Sequence, residues 1–436
     1  MKRGKWLAVL PIAAMMISLL GAYGVINAAN NEENHVPGTT EGSAGSPVVL
    51  TFWALGNTHY VTLAQEYMAM HPEIRINLNI MTDTFVHHDR MESALSAGTG
   101  TPDIFMLDQE FIERFLDAQD HFYNLYDLGA KGIEVDYLYW SWKQATSADG
   151  SFQLGLPAGI SPTVIYYRTD LMERAGLPTD PESFSAAIYK WDKFAAVAKR
   201  FTEATGIPFA DSADLVYNGL RDQSTDRIYF NKIDGSFIGD TNPQVRKAYD
   251  FTVKGIQEGW IGNRTLGSPE WEKAIREGDV GVVLGPTWME DTIRSARETA
   301  GKWRIAQIPE GSGSWGGSFL TLPKEGKHPR EAYDFMTWLT NKENQLKSFQ
   351  ASGQLPSIPA VYNEPAFQAD PDDFFGGQVI SEAYARSAQR VIPAYRGPRF
   401  EQVDALIKKA LRDVLENKAD PQAEWNEAIK QAQNAA

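Results

Sequence analysis

Residues 74–80 alternate cleanly. Ile74, Ile76, Leu78 and Ile80 fall on one face, and Arg75, Asn77 and Asn79 on the other, which predicts a period-two strand. Upstream, "PVVLTFWA" at residues 47–54 is a short β-branched apolar run that predicts a buried strand. Between the two, Leu63, Tyr67 and Met70 recur at helical spacing and Pro72 marks the end. "FVHHDRMESALSAGTG" predicts a second helix stopped by Gly98, and "PDIFMLD" a third strand. Strand, helix, strand, helix, strand with short connections predicts a parallel sheet in an α/β domain.

The pattern breaks at residues 147–171, "SADGSFQLGLPAGISPTVIYYRTDL". Asp149-Gly150 is a hairpin-type turn signal, and two β-rich runs flank "PAGISP". Gly and Pro at this density predict a strand that leaves one domain and enters another. Helical patterns follow in "PESFSAAIYKWDKFAAVAKRFTEATG" and "NPQVRKAYDFTVKGIQEGW". "GDVGVVLGPTW" and "WGGSFLTLP" return strands, and "HPREAYDFMTWLTNKENQLKSFQASG" reads as a helical pair closed by Gly353. Near the end, Val403, Leu406, Ile407, Ala410, Leu411, Val414 and Leu415 form one helical stripe, read as core. No short repeat and no second apolar span occurs.

The first residues change the picture. Lys2, Arg3 and Lys5 precede a run from Trp6 to Asn31 without a charged residue. The run suits an export signal and is long enough to span a bilayer. Residues 1–29 therefore read as a signal peptide or a membrane anchor. Residues 30–47, rich in Gly, Ser, Thr and Pro, read as a flexible linker. Both readings set the folded part outside the cytoplasm. The uncleaved helix is the favoured reading, and cleavage after Ala28 or Ala29 the alternative. The 436-residue chain carries a net charge of −15, which repels phosphate backbones and argues against nucleic acid. It has no cysteine, so disulfides, thiolate metal sites and Cys nucleophiles are excluded.

Ligands of open parallel sheets bind beyond the carboxyl ends of the strands. Those ends carry Trp53 with Asn57, then Asp83, then Asp108, Gln109 and Glu110, and later Trp288. Aromatic faces pack on the C–H faces of sugar rings, while carboxylates and amides bind hydroxyl pairs. The set fits a neutral polyol, although each residue alone reads equally well as an ordinary loop or cap residue. His87 and His88 diverge by about 100° on a helix, which disfavours a shared metal. Tyr166 and Tyr167 face opposite sides of a strand, so at least one is core. "DPDD" at residues 370–373 reads as solvated surface. No P-loop, GxSxG or HExxH motif occurs. A glycosidase needs only two carboxylates, and composition leaves that open.

In order, "VVLTFWA", "SAGTGTPDIFMLD", "GLPAGISPTVIYYRTDLMERAGLP", "GDVGVVLGPTW" and "GGSFLTLPKEGKHPREAYDFMTWLTNKENQLKSFQASGQLPS" resemble the extracellular solute-binding proteins of ABC importers. The similarity runs from about Pro47 onward and points to the carbohydrate-binding branch that includes maltose-binding protein. The stretch "GLPAG…YYRTDLMERAGLP" resembles that family's "P…YNKDLLEKAGL" pattern. The resemblance implies a two-lobed type II periplasmic-binding-protein fold. Three crossing segments, near residues 159–163, 315–320 and 353–357, would join the lobes at a ligand cleft. One lobe would comprise residues 48–160 and 320–353, the other 161–319 and 354–436. It implies ligand contacts from Trp53, Asn57, Asp83, Asp108, Gln109, Glu110, Ser161, Tyr217, Asn218, Trp288, Trp315 and Gly317. Tyr395, Arg396 and Phe400 fall where a further ring is expected, and Trp288 sits one residue beyond the family's "GPW" position.

The implied activity is sugar or oligosaccharide binding and delivery to a membrane permease by a monomer. No bond chemistry, catalytic residue, cofactor or metal is implied. The same fold could bind an iron complex, a polyamine or an anion, with Arg396 and Arg221 then more important. A secreted carbohydrate-active enzyme and a docking protein for a sensor kinase are further alternatives. Many relatives are tethered through a cysteine after an L-x-[GA] motif. Here Leu20-Gly21-Ala22 is followed by Tyr23, which rules out that route.

Overall fold

A computed structural model describes residues 47–224, 227–368, 371–397 and 399–435. The expectations for residues 1–46 lie outside the described residues. The three predicted strands form as β1 (Val48–Leu55), β2 (Ile74–Met81) and β3 (Ile104–Asp108). β1 pairs in parallel with both others. The connecting helices are Tyr60–Met70 and Thr84–Ala97. The second is capped by Asp83, whose side chain accepts the Val86 N–H, and ends at Gly98 in the left-handed region (φ +64°). β2 is the edge of the sheet. Its alternation therefore fades along the strand: Ile74 and Ile76 are buried, yet Ile80 is 43% exposed.

The strand predicted across the Pro- and Gly-rich stretch forms as β4 (Gly155–Arg168), buried along all 14 residues. Its first half pairs antiparallel with β7 (Ser314–Thr321). Its second half lies between β5 (Val282–Pro286) and β6 (Trp303–Ala306). Pro157 and Pro162 lack the N–H that a central strand needs. The β4–β7 register shifts beside both, between Pro157 and Gly159 and between Ile160 and Pro162. The strand therefore bends without ending.

The sheet order is β2-β1-β3-β7-β4-β5, with β6 also on β4. β7 bridges the groups by pairing antiparallel with β3 as well as β4. A third segment joins them: Ile160 N–H donates to Leu355 O (3.1 Å) and Ser357 Oγ to Pro157 O (2.9 Å). The C-terminal stripe forms on helix Phe400–Asn417, with Val403, Ile407, Ala410, Leu411 and Val414 buried.

The competing chemistry resolves into framework. Tyr166 and Tyr167 are both fully buried; Tyr166 donates to Pro286 O (3.0 Å) and Tyr167 to Thr179 O (2.7 Å). Asp372, expected on solvated surface, instead pairs with Arg294 and accepts the Phe374 N–H (2.9 Å).

Gly317 has φ +132°, and a Cβ there would lie 2.8 Å from Gly159 O. Gly317→Ala should therefore lower stability by about 1–3 kcal/mol, read as a lower urea midpoint. An unchanged midpoint would show that the two backbones can separate freely.

Candidate ligand-binding site

β3 ends in a tight turn that aims Gln109 inward. The Asp108 carboxylate accepts the Glu110 N–H (2.8 Å) and so opens the 3-10 turn Gln109–Phe111. Below it, His88 takes the Asp108 N–H on Nε2 (3.0 Å) and donates from Nδ1 to Thr84 O (2.7 Å). His88 is fully buried and stacks on Phe111 at 3.9 Å. Burial pushes its pKa down to about 3, so the ring is neutral and holds the turn. His87 stacks on Phe105 (4.6 Å), with Nε2 on Met106 O (2.7 Å). Among the described residues no group of three His, Cys, Asp or Glu could hold a metal.

Gln109 is buried and reaches β7, donating to Ser314 O (2.9 Å) and accepting from Ser314 Oγ (2.9 Å). Ser161 and Thr287 share a hydroxyl hydrogen bond of 2.8 Å. Arg396 donates from Nη2 to Ser314 O (3.0 Å), and its backbone N–H donates to Glu113 Oε1 (3.1 Å). These groups make a floor of amide, hydroxyl and guanidinium.

Two tryptophans stand over this floor in a relay of hydrogen bonds. Trp288, 53% exposed, donates from its indole N–H to Trp315 O (2.9 Å). Trp315 in turn donates its indole N–H to Asp222. Asp222 is buried, accepts from Arg221 Nε (2.8 Å) and lies 3.8 Å from Arg396. Gly316 (φ +122°) lets the Trp288 ring approach; a Cβ there would sit 3.3 Å from its indole nitrogen.

Beside the floor opens a cavity of about 320 Å³, lined by Glu113, Leu116, Tyr139, Lys143, Gln144, Arg227, Asn231, Lys232, Ile233 and Pro393 to Tyr395. A narrow space of about 10 Å³ at Gln109, Asp222, Ser314 and Arg396 shares Gln144 and Ala394 with it.

The sequence-predicted residues divide. Gln109, Ser161, Trp288, Trp315, Gly317, Tyr395 and Arg396 gather around the β4–β7 crossing and its cavity, with Asp108 in the turn behind them. Trp53 is corrected to a framework residue: it is 8% exposed, in the core, with the Arg90 guanidinium 3.7 Å over its ring. Asp83 acts as a helix cap. Asn57 and Glu110 are exposed and line neither space. Tyr217 is fully buried, with its hydroxyl on Tyr229 (2.8 Å), and so belongs to the core. Asn218, half-buried on the same helix, lines neither space. Phe400 is buried and backs the site, with Arg396 at 5.0 Å and Arg221 at 4.9 Å over its ring.

Sequence reasoning missed Glu113, Tyr139, Lys143, Gln144, Asp222, Asn231, Lys232, Thr287 and Ser314. One signal was available. In "YLYWSW", Trp140 and Trp142 are buried while Tyr139 is 69% exposed, as an amphipathic aromatic turn allows.

Burial, and next the charge of Glu110, push Asp108 up to about 7 against the pull of Arg396. A raised carboxyl favours folding while it is protonated. That contribution is full below the unfolded pKa near 3.8 and is lost as pH rises through about 7. The stability of the wild type relative to Asp108→Asn should therefore fall across this window in urea titrations. Asp211, also pushed up to about 7, by burial, is common to both proteins and cancels. A pH-independent difference would refute the assignment.

Comparisons with known proteins agree with this geometry. The sequence profile described as "Bacterial extracellular solute-binding protein" matches residues 62–375. The lactose-binding protein of Rhizobium radiobacter is 28% identical over 337 residues, covering 74% of this chain and 76% of that protein. The arabinooligosaccharide-binding protein of Bacillus subtilis is 26% identical over 391 residues, covering 83% and 86%. A crystal structure described as an extracellular solute-binding protein family 1 superposes with a TM-score of 0.86 at 30% identity, covering 89% of this chain and all of that one (100%). The galacto-N-biose/lacto-N-biose I-binding protein of Bifidobacterium longum shares the fold, with a TM-score of 0.73 at 19% identity, covering 90% and 98%. The fold is thus the two-lobed type II architecture, and the chain belongs to the bacterial extracellular solute-binding protein family.

Proposed function

We propose that this protein binds a sugar or oligosaccharide between its lobes and delivers it to the membrane permease of an ABC importer. One observation carries this reading: a half-exposed indole, Trp288, is fixed at 2.9 Å to the backbone of a floor rich in hydroxyl and amide groups. An aromatic face beside convergent donors and acceptors matches the two faces of a pyranose. The lactose- and arabinooligosaccharide-binding relatives support it. The activity is binding without bond chemistry, in keeping with relatives that are binding proteins.

The lobes divide at the three crossings, residues 48–160 with 320–353 and residues 161–319 with 354–436. Sugar held by both lobes favours closure, because only the closed form makes both sets of contacts. The protein acts as a monomer outside the cytoplasm. No helix among the described residues is long and apolar enough to cross a membrane. Anchoring falls instead to the apolar run of residues 6–29, with residues 30–47 as tether.

Trp288→Ala removes the aromatic platform from a position that is not core. Sugar affinity should fall by about 2 kcal/mol, roughly thirtyfold in Kd, with an unchanged thermal melt. Calorimetric titration with lactose and arabino-oligosaccharides measures this, and equal affinity in the variant would sink the assignment. N-terminal sequencing of the native protein tests the anchor: a terminus at Ala29 or Asn30 would refute it.

A further inference from the structure

Trp288 hangs on a short segment that is tied down on both sides of it. Ser161 on β4 shares a hydroxyl hydrogen bond with Thr287 (2.8 Å). Further along the same strand, Tyr166 donates its hydroxyl to Pro286 O (3.0 Å). Tyr384, on the helix Ile380–Ala388, donates to Glu290 Oε2 (2.7 Å), and the two tyrosine hydroxyls lie 3.2 Å apart. Glu290 opens the helix Glu290–Ser295 and is held by its other oxygen as well. Arg294 Nε donates to Glu290 Oε1 (2.7 Å), and Arg294 Nη1 donates to Asp372 Oδ1 (3.2 Å). Tethers therefore fall on residues 286 and 287, before the tryptophan, and on residue 290, after it.

The two tyrosine hydroxyls are not needed to fill space. Tyr166 is fully buried and Tyr384 is 3% exposed. Burying a hydroxyl is unfavourable unless a partner replaces water. A phenylalanine ring would occupy either place without that demand, and exchanging buried hydrogen-bonded groups for apolar ones of the same shape can be nearly neutral for stability. What the hydroxyls add is direction. Tyr166 reaches the carbonyl two residues before Trp288, and Tyr384 reaches the side chain two residues after it.

The Trp288 ring depends on that direction. It is 53% exposed, and its indole N–H donates to Trp315 O (2.9 Å). A ring so little packed takes its pose from the backbone that carries it. A preorganised contact needs placement to within about 0.5 Å, and preorganisation raises affinity by lowering the ordering cost of binding.

We infer that Tyr166, Tyr384 and Glu290 are positioning residues for the sugar: they touch no ligand and act by fixing residues 286–290, so that the Trp288 face is aimed before the sugar arrives. The inference rests on the reading of Trp288 as the sugar platform and extends it to three residues behind that platform.

The experiment is a double-mutant cycle on the full chain. It is read by calorimetric titration with a panel of neutral saccharides that includes lactose and arabino-oligosaccharides. Tyr166→Phe and Tyr384→Phe keep the rings and remove only the hydroxyls. Each should weaken the sugar about fivefold. In a Trp288→Ala background the same substitutions should change Kd by less than about twofold, because the group they position is gone. Residues that only support the fold would act alike in both backgrounds. Thermal melts check that each variant is folded at the titration temperature. Unchanged affinity in both tyrosine variants, or equal losses with and without Trp288, would overturn the inference and leave the platform standing. Loss of folding in both would mark them as framework and overturn it too. If Trp288→Ala itself leaves affinity unchanged, the platform reading fails and the inference falls with it. If no saccharide binds, the sugar reading fails and takes the inference with it.

Discussion

The close passage of β4 over β7 is the constraint on which the site depends. Gly317 pairs with Ile160 in an antiparallel ladder that two prolines interrupt. Pro157 and Pro162 remove donors, so the strand must bulge, and the bulges turn it from one group of strands to the other. Gly316 and Gly317, both at positive φ, let the facing backbone come within reach. Ser161 and Ser314 therefore sit at fixed positions on two strands, and Gln109 and Arg396 both converge on Ser314. Sites carried on strands are held more tightly than sites on loops.

A buried charge network supports the aromatic side of the cleft. Arg221 is 2% exposed and lies between Asp222 and Asp404. Asp404 also receives the Tyr229 hydroxyl (2.7 Å) and the Lys408 ammonium (2.6 Å). Burial opposes ionisation of Asp404, yet Arg221 and Lys408 hold it well below the usual carboxylate range. Such networks contribute little net stability, because desolvation cancels most of the Coulomb gain. Their effect here is geometric. With Asp222 fixed by Arg221, the Trp315 indole has one acceptor, and the Trp315 carbonyl then orients Trp288.

The legible part of the molecule was the part written in short-range pattern. The three parallel strands, the two helices between them and the stop of the second helix at Gly98 all follow from periodicity and local chemistry, whereas Asp83, expected to contact ligand, caps that helix. The strand at residues 155–168 was legible as one strand running through a Pro- and Gly-rich stretch, but its partners were not, because β5, β6 and β7 lie more than a hundred residues away. Site residues divide on the same line. Trp53 ends a strand and looks like a ligand contact, but Arg90 from the next helix covers it. Tyr217, a ligand contact by resemblance alone, is buried on a helix. Asp222 and Glu113 meet the site through partners distant in sequence, Trp315 and Arg396, which no local pattern marks.

Among the described residues, one buried bond outside the crossings ties the two sides of the cavity together, from the Trp140 indole N–H to Ala388 O (2.8 Å), and others there are weak. Arg114 and Glu401 pair at 2.8 Å, but their side chains are 38% and 42% exposed, a setting worth at most about 1 kcal/mol. The Lys232 bond to Thr146 O is 3.3 Å long, and the Arg396 N–H bond to Glu113 is a single interaction of about 1 kcal/mol. On the proposed two-lobe reading, contacts on this scale would set an open–closed balance of a few kcal/mol. A ligand moves such a balance only by its difference in affinity for the two forms. The floor is pinned by strands, while the walls come from the helices bearing Glu113 and Tyr139 and from the segments around Lys232 and Tyr395. The differential contacts must therefore come from the walls. On that reading floor residues contribute alike to both forms, and affinity and closure would fall to different parts of one site.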